Sequence, residues 1–211
     1  MRMDASVTTY VVGDRLPWPD DDVGRLGSAQ FESARLHGSF GARSCAIHKI
    51  SPLGVSISAD DVGGPGDAVA IELATGQRCA ATVDWSRGRD AGLRFDEPLD
   101  ILALINRNLV AQPVERRTMP RIELRFAAHL KWGEHFDAAL TRNISARGMQ
   151  VEGEHLPPVG TYLAIYLEGL SLPPCEVVWR QTKLAGVEFF EELSWASIIP
   201  WVKGVSRNAV E

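Results

Sequence analysis

The chain has 211 residues, 45% of them hydrophobic and 23% charged, so it is long enough for one large or two small soluble domains. Its formal net charge of −5 argues against general nucleic-acid binding, which needs a basic surface to neutralise phosphates. No apolar run is long enough to span a membrane, and the acidic N-terminal stretch lacks the apolar core of a signal peptide. The three cysteines have neither metal-like nor disulfide-like spacing, and their odd number fits a reducing compartment, so we expect a cytoplasmic protein.

The first half of the chain predicts an all-β domain. Residues 1–26 are expected to form an N-terminal arm with one short strand over 7–12. From about Arg35 onward, short apolar segments alternate with Gly, Pro and Asp, which is typical of short strands. The predicted strands are Ser44–Ile50, Gly54–Ser58, Ala68–Leu73, Cys79–Ser86 and Ala91–Phe95.

A helix is predicted over Leu99–Val110, because its leucines and isoleucines recur at helical spacing and Pro113 limits its end. These features predict four segments. They are the arm (1–26), a first barrel (27–98), a linking helix (99–112) and a second domain with a C-terminal helix (113–211).

The second half of the sequence repeats the first at a constant offset of 94 residues. Ser51 and Gly54 recur as Ser145 and Gly148, and eight further identities follow at the same offset without a gap. They are Gly66/Gly160, Ala70/Ala164, Ile71/Ile165, Leu73/Leu167, Val83/Val177, Trp85/Trp179, Gly92/Gly186 and Phe95/Phe189. The repeat predicts two copies of one small antiparallel β unit, each closed or nearly closed so that it has no free edge.

Two short motifs lie in the second copy. Arg117 and Arg121 form R-x-x-x-R in a basic loop, and Asn143, Ser145 and Gly148 form N-x-S-x-x-G in a turn about two strands later. Together, in this order and followed by a strand-rich segment, they resemble the signature motifs of the PilZ domain, a bacterial receptor module for cyclic di-GMP. The resemblance implies an all-β fold of two tandem six-stranded antiparallel barrels joined by a helix, with a helical tail at the C-terminus.

The motif residues suit cyclic di-GMP, which is compact and dianionic and carries two guanines. An arginine fork matches the O6 and N7 acceptors of guanine, and guanidinium planes stack on purines and neutralise phosphates. The resemblance implies that the ligand is held by Arg117, Arg121, Asn143, Ser145 and Gly148, with Arg116 as an auxiliary. The glycine is expected to permit close backbone approach or a positive φ. No cofactor or metal is expected, because the histidines are scattered.

The first copy departs from both motifs. Lys49 stands where the second copy has Asn143, and no arginine pair precedes it, so we expect no ligand there. Ser51 and Gly54 are nevertheless retained, so this serine and glycine are at least partly structural in both copies. Alternatively, the arginines are a solvated linker. The tryptophans are predicted to lie in the cores rather than to form stacking platforms; they are Trp85, Trp132 and Trp179.

The sequence therefore favours a non-enzymatic cyclic di-GMP receptor in which the ligand changes contacts between the domains or with a protein target or homodimer partner. One alternative is a ligand-independent adaptor that acts only through protein contacts. A third hypothesis, a small barrel that binds single-stranded nucleic acid, is disfavoured by the acidic balance of the chain.

Overall fold

The computed structural model describes residues 8–18, 32–111 and 120–208, and it divides the chain into two compact units, 1–120 and 121–211. The elements of the first unit are β1 (Thr9–Val11), β2 (Glu32–Gly38), β3 (Gly41–Ser51), β4 (Gly54–Ala59), β5 (Ala68–Glu72), β6 (Arg78–Arg87), β7 (Asp90–Phe95) and α1 (Ile101–Ala111). Those of the second are β8 (Arg121–Glu123), β9 (Ala127–Trp132), β10 (His135–Ser145), β11 (Gly148–Glu152), β12 (Tyr162–Leu167), β13 (Cys175–Gln181), β14 (Leu184–Phe189) and α2 (Trp195–Asn208).

Six strands of the first unit form a closed antiparallel barrel. The pairing runs β2–β3–β4–β7–β6–β5 and returns to β2 through the pair of Leu36 and Ile71. Because every barrel strand has a partner on each side, the barrel has no open edge. The strands alternate buried and exposed residues, so one face of the wall fills the interior.

The second unit repeats this barrel strand for strand. Its pairing runs β9–β10–β11–β14–β13–β12 and back to β9. Register shifts in the two units also lie 94 residues apart: one between Ile47 and Lys49 corresponds to one between Thr141 and Asn143. The sequence repeat is therefore a repeat of structure down to its bulges.

Branched aliphatic side chains fill both interiors. Val, Ile and Leu favour strands and pack well on a pleated, half-buried surface. Burying each one stabilises the fold by about 1.5–3 kcal/mol relative to leaving it exposed. Those with at most 1% exposure include Ile47, Val55, Ile57, Ile71 and Leu93 in the first barrel, and Leu130, Ile144, Val151 and Val177 in the second.

Each barrel is followed by a helix that starts at an equivalent place. The chain just before α1 is held by a bond from the Leu99 amide to the Pro52 carbonyl (2.9 Å), and that before α2 by a bond from Leu193 to Ala146 (2.8 Å). Asp100 then caps α1 through a 2.9 Å bond from the Ala103 amide. Neither helix, in the described part of the chain, is long and apolar enough to cross a membrane.

The predicted fold class is confirmed: the chain forms two six-stranded barrels, with one helix after the first and another at the C-terminus. The structure moves the first helix to Ile101–Ala111 and the N-terminal strand to Thr9–Val11. The exact boundaries of the four predicted segments remain predictions, and most of the N-terminal arm lies outside the described residues.

The prediction that the tryptophans lie in the cores is wrong. Trp85, Trp132 and Trp179 are all only half-buried. The indole of Trp179 covers Gly186, where a Cβ atom would lie 2.0 Å from Nε1, and Trp85 covers Gly92 in the same way at 2.2 Å. A glycine on the neighbouring strand therefore makes room for an indole on the barrel surface, and the repeat preserves this pair as a feature of the fold.

Candidate functional site

The strand β8 brings the second arginine of the R-x-x-x-R motif to the turn that carries the other motif. It pairs antiparallel with β10, with Ile122 opposite Ile144 and Glu123 opposite Asn143. Extending this register by one residue places Arg121 opposite Ser145. Arg121, Asn143, Ser145 and Gly148 therefore lie at one end of the second barrel. Arg116 and Arg117 lie outside the described residues.

The hydroxyl of Ser145 is used inside its own turn. It donates a 3.1 Å hydrogen bond to the carbonyl of Gly148. Ser51 makes the same bond to Gly54 in the first barrel, at 3.4 Å. This contact closes the tight hairpin in both copies, which supports the structural role expected for the serine. Ser51 is completely buried, whereas Ser145 is partly exposed.

Gly148 is required by packing between strands. A Cβ atom on it would lie 2.2 Å from the carbonyl oxygen of Val187 on β14, and one on Gly54 would lie 2.5 Å from that of Leu93. Because these neighbours are backbone atoms, they cannot rotate away. The sequence predicts two reasons for a glycine at this position. The first, close approach of another backbone, is observed, and that backbone belongs to the barrel. A positive φ is not found at Gly148.

Asn143 is held by a residue that the motif does not include. Its Nδ2 donates a 2.7 Å hydrogen bond to Oε1 of Gln150, which lies opposite it on β11. The bond fixes the amide plane of Asn143 and leaves its Oδ1 and second N–H for other partners. The sequence contains a signal for Gln150, because the hairpin register around the Ser145–Gly148 turn places residue 150 opposite residue 143.

Two other arginines near the turn are engaged by carboxylates. Arg147 Nε lies 2.8 Å from Glu192 Oε1, and Arg142 Nη1 lies 3.0 Å from Glu152 Oε2. The Arg147 pair is exposed, with both side chains more than half accessible, so it contributes little to stability and leaves the guanidinium accessible. Arg142 is only 20% exposed and supports the outside of the barrel wall.

The corresponding place in the first barrel is filled by the chain's own N-terminal segment. Strand β3 is longer than β2, and beyond the end of β2 it pairs with β1 instead. The two strands run parallel, with Tyr10 opposite Ile50. Tyr10 and Val11 are almost completely buried. The ring of Trp18 covers the turn glycine so closely that a Cβ atom on Gly54 would lie 3.0 Å from it. An apolar segment therefore occupies the position that β8 takes in the second barrel.

Strand β1 is fixed by side-chain hydrogen bonds. The hydroxyl of Thr8 donates to the Ile47 carbonyl at 2.6 Å and accepts from the Glu32 amide at 2.7 Å. The Tyr10 hydroxyl donates to the Glu32 carboxylate. These bonds connect β1 both to β3 and to the start of β2, so the segment is an integral part of the first unit.

The described parts of the chain contain neither a reactive thiol nor a group of side chains that could bind a metal ion. Burial raises the pKa of the Cys45 thiol to about 11 and that of Cys175 to about 12, and it also raises the pKa of Cys79. The thiolate, which is the reactive form, is therefore disfavoured. Within residues 8–18, 32–111 and 120–208, no three His, Cys, Asp or Glu side chains are grouped to hold a metal ion.

No protein-family model and no curated protein matches the chain. Similar solved structures include the Borreliella burgdorferi PlzA protein in complex with c-di-GMP (9% identity, covering 82% of this chain and 86% of that chain, TM-score 0.32). Others are the Bacillus subtilis inhibitor of motility MotI/DgrA (14%, 85% and 96%, 0.31) and Escherichia coli YcgR in complex with c-di-GMP (12%, 84% and 83%, 0.28). TM-scores near 0.3 do not establish a shared fold. The two barrels are defined by the strand pairing within this chain.

Proposed function

We propose that the protein is a non-enzymatic receptor for cyclic di-GMP and that its second barrel binds the ligand. One observation carries the proposal: β8, which begins with Arg121, pairs with the strand that bears Asn143 and Ser145. The second arginine of one motif, which is Arg121, thus lies at the same end of the second barrel as the other motif. The resemblance to PilZ domains and this juxtaposition support the same site independently.

The residues brought together match the chemistry of the ligand. The guanidinium of Arg121 offers a fork that fits the O6 and N7 edge of guanine or the oxygens of a phosphate. Arg117 lies four residues earlier, so the two side chains are able to hold opposite sides of a stacked ligand. The Asn143 amide, fixed by Gln150, offers a donor and an acceptor to a base edge.

The first barrel is proposed not to bind cyclic di-GMP. It lacks the motif residues, and its equivalent edge is occupied by β1. A ligand would have to displace Tyr10 and Val11, which are buried, and would then meet Lys49 in place of an asparagine. Titration should therefore saturate at one site per chain, holding one ligand or one intercalated pair.

Isothermal titration of the full chain tests the site. Arg117→Ala and Arg121→Ala should each weaken cyclic di-GMP binding by about tenfold to a hundredfold, the ~1–3 kcal/mol of a bidentate guanine contact. Arg89→Ala, an exposed arginine of the first barrel, is the matched control and should bind like the parent. GTP and a short oligonucleotide serve as ligand controls.

If both arginine variants bind like the parent, the basic loop is only a linker and the proposal fails. Binding of the oligonucleotide in place of cyclic di-GMP would instead indicate a nucleic-acid module. Saturation at two sites per chain would contradict the assignment of the first barrel.

We further propose that binding acts through the segment between α1 and β8, which carries Arg117. A ligand that gathers Arg117 and Arg121 against the Asn143 strand must fix this loop on the second barrel, and the loop continues directly from α1 in sequence. Contacts between the domains or with a partner should then change. Spin labels on the two barrels would detect this as a shift in interdomain distance at saturating ligand, and unchanged distances would refute the interdomain part.

An adaptor that acts only through protein contacts is the second candidate. It is favoured by the exposed large hydrophobic side chains of the described residues, which all lie on the second barrel. The same titration separates the two functions, because a pure adaptor gives no heat with cyclic di-GMP.

A further inference from the structure

An exposed group of aromatic side chains lies on the outer wall of the second barrel, on strands β10, β9 and β12 and just after β14. Its four large members are between 51% and 67% exposed. This aromatic wall consists of Phe136, His129, Tyr166, Tyr162 and Phe190. Since soluble proteins rarely leave large apolar side chains in one contiguous exposed patch, such a patch is typical of an interaction surface.

The members of the aromatic wall form two groups of contacting rings, joined by strand β12, on which Tyr162 and Tyr166 are both exposed. The rings of His129 and Phe136 stack with centroids 5.1 Å apart, and Phe136 is 6.1 Å from Tyr166. Tyr162 and Phe190 are 5.4 Å apart at the other end of the wall. The wall is therefore a built surface in which neighbouring rings restrict each other, and this lowers the entropy lost when a partner binds.

The first barrel shows that the fold does not need these aromatic residues. At the positions 94 residues earlier, the sequence has Ala42, Arg35, Glu72, Ala68 and Asp96. Arg35 and Glu72 are paired across neighbouring strands there, in the same register as His129 and Tyr166. The same wall thus folds with small and charged residues, so the aromatic side chains of the second copy serve something other than the barrel.

We propose that the aromatic wall is an interface between two copies of this chain, related by a twofold axis. Four aromatic side chains of the observed exposure offer about 500 Å² on each copy. Two copies would therefore bury about 1,000 Å² in all, the lower limit for a specific interface. The homodimer is accordingly weak and depends on protein concentration.

Opposite charges flank the aromatic wall, so this surface is complementary to the same surface of a second copy. Lys131 lies on β9 beside Ala164, and Glu176 lies on β13 beside Tyr162, so they flank β12 on opposite sides. A twofold axis in the interface that crosses β12 between Tyr162 and Ala164 brings Lys131 of each copy to Glu176 of the other. An isologous dimer requires a surface that is complementary to itself. A different partner would not require this arrangement of charges.

Sedimentation velocity of the full chain, without cyclic di-GMP, at roughly 1–300 µM, tests the proposal. The parent should shift from monomer toward dimer as its concentration rises. The triple variant Phe136→Ala, Tyr162→Ala, Tyr166→Glu, which takes each residue from the first barrel, should stay monomeric throughout. Arg35→Ala on the first barrel is the matched control and should associate like the parent. A parent that remains monomeric, or a triple variant that associates equally well, overturns the interface.

Charge reversal distinguishes self-association from aggregation through any sticky surface, and it leaves the aromatic residues in place. Lys131→Glu or Glu176→Lys alone should weaken dimerisation by at least about tenfold, because like charges then face each other. The double variant Lys131→Glu, Glu176→Lys should restore it. If the double variant is as weak as the singles, the twofold arrangement is wrong.

Discussion

Replacing Gly148 by alanine separates the structural and ligand-binding explanations of the turn motif. The added Cβ would lie 2.2 Å from the Val187 carbonyl oxygen, more than 1 Å closer than an ordinary contact. Because the obstacle is backbone, β11 and β14 must move apart where Gly148 pairs with Glu188. Overpacking of this kind costs about 1–3 kcal/mol. For a barrel of this size, the melting temperature should fall by roughly 4–8 °C for each kcal/mol.

Gly54→Ala is the matched control in the first barrel. Its Cβ would meet the Leu93 carbonyl oxygen at 2.5 Å, so it should destabilise the first barrel by the same mechanism. Both variants strain the same turn, one in each barrel, although the Cβ atom added at position 54 would also meet the ring of Trp18 at 3.0 Å. Gly148→Ala should therefore weaken cyclic di-GMP binding as well as stability, whereas Gly54→Ala should affect stability alone.

Differential scanning calorimetry with and without saturating cyclic di-GMP measures both effects. The transition that moves upward with ligand belongs to the binding barrel, and Gly148→Ala should lower this transition while Gly54→Ala lowers the other. A Gly148→Ala protein that melts like the parent but no longer binds would refute the reasoning. The glycine would then be needed for the ligand and not for the barrel.

The remaining predictions concern the hairpin, the neighbouring amide and a buried thiol. Ser51→Ala and Ser145→Ala should each lower the free energy of unfolding in urea by about 1 kcal/mol, because both hydroxyls bond a turn carbonyl; equal stability with the parent would contradict this. Gln150→Ala should weaken cyclic di-GMP binding in titration because the Asn143 amide is no longer held, and unchanged affinity would show that its orientation is set elsewhere. Burial raises the pKa of Cys175 from 9.0 to about 12, so its stabilising contribution should be complete below pH 9 and decline as pH rises toward 12. A thiol reagent at pH 8 should modify it only after unfolding.

Much of the fold follows from pattern because the two halves specify the same unit. The constant offset of 94 residues identifies both barrels, and the strand alternation places Ile57, Ile71 and Val177 inside. Lys49 in place of Asn143 distinguishes the two turns by residue type alone. These features are local or repeated, so they leave a clear signal in the amino-acid sequence.

The parts that pattern did not predict depend on contacts between distant segments. Nothing in the sequence around Thr9–Val11 specifies that it joins β3 in parallel, since the partner lies about 40 residues away. Trp179 is predicted to lie in a core because of its residue type. Its position over Gly186 depends on the pairing of β13 with β14. Gln150 is predictable from the hairpin register, but it is not part of the N-x-S-x-x-G motif.

The two barrels receive strands of opposite direction on the same edge: β1 is parallel to β3, and β8 is antiparallel to β10. The backbone groups on this edge of the long strand can therefore pair with a segment of either direction. If the first 18 residues were removed, the six-stranded barrel would still close, but β3 would expose unpaired amides and carbonyls beside Ser51. Such an edge adds strands from other molecules. Shortening the N-terminus should thus produce a folded chain that aggregates, so the segment is best retained in any recombinant version.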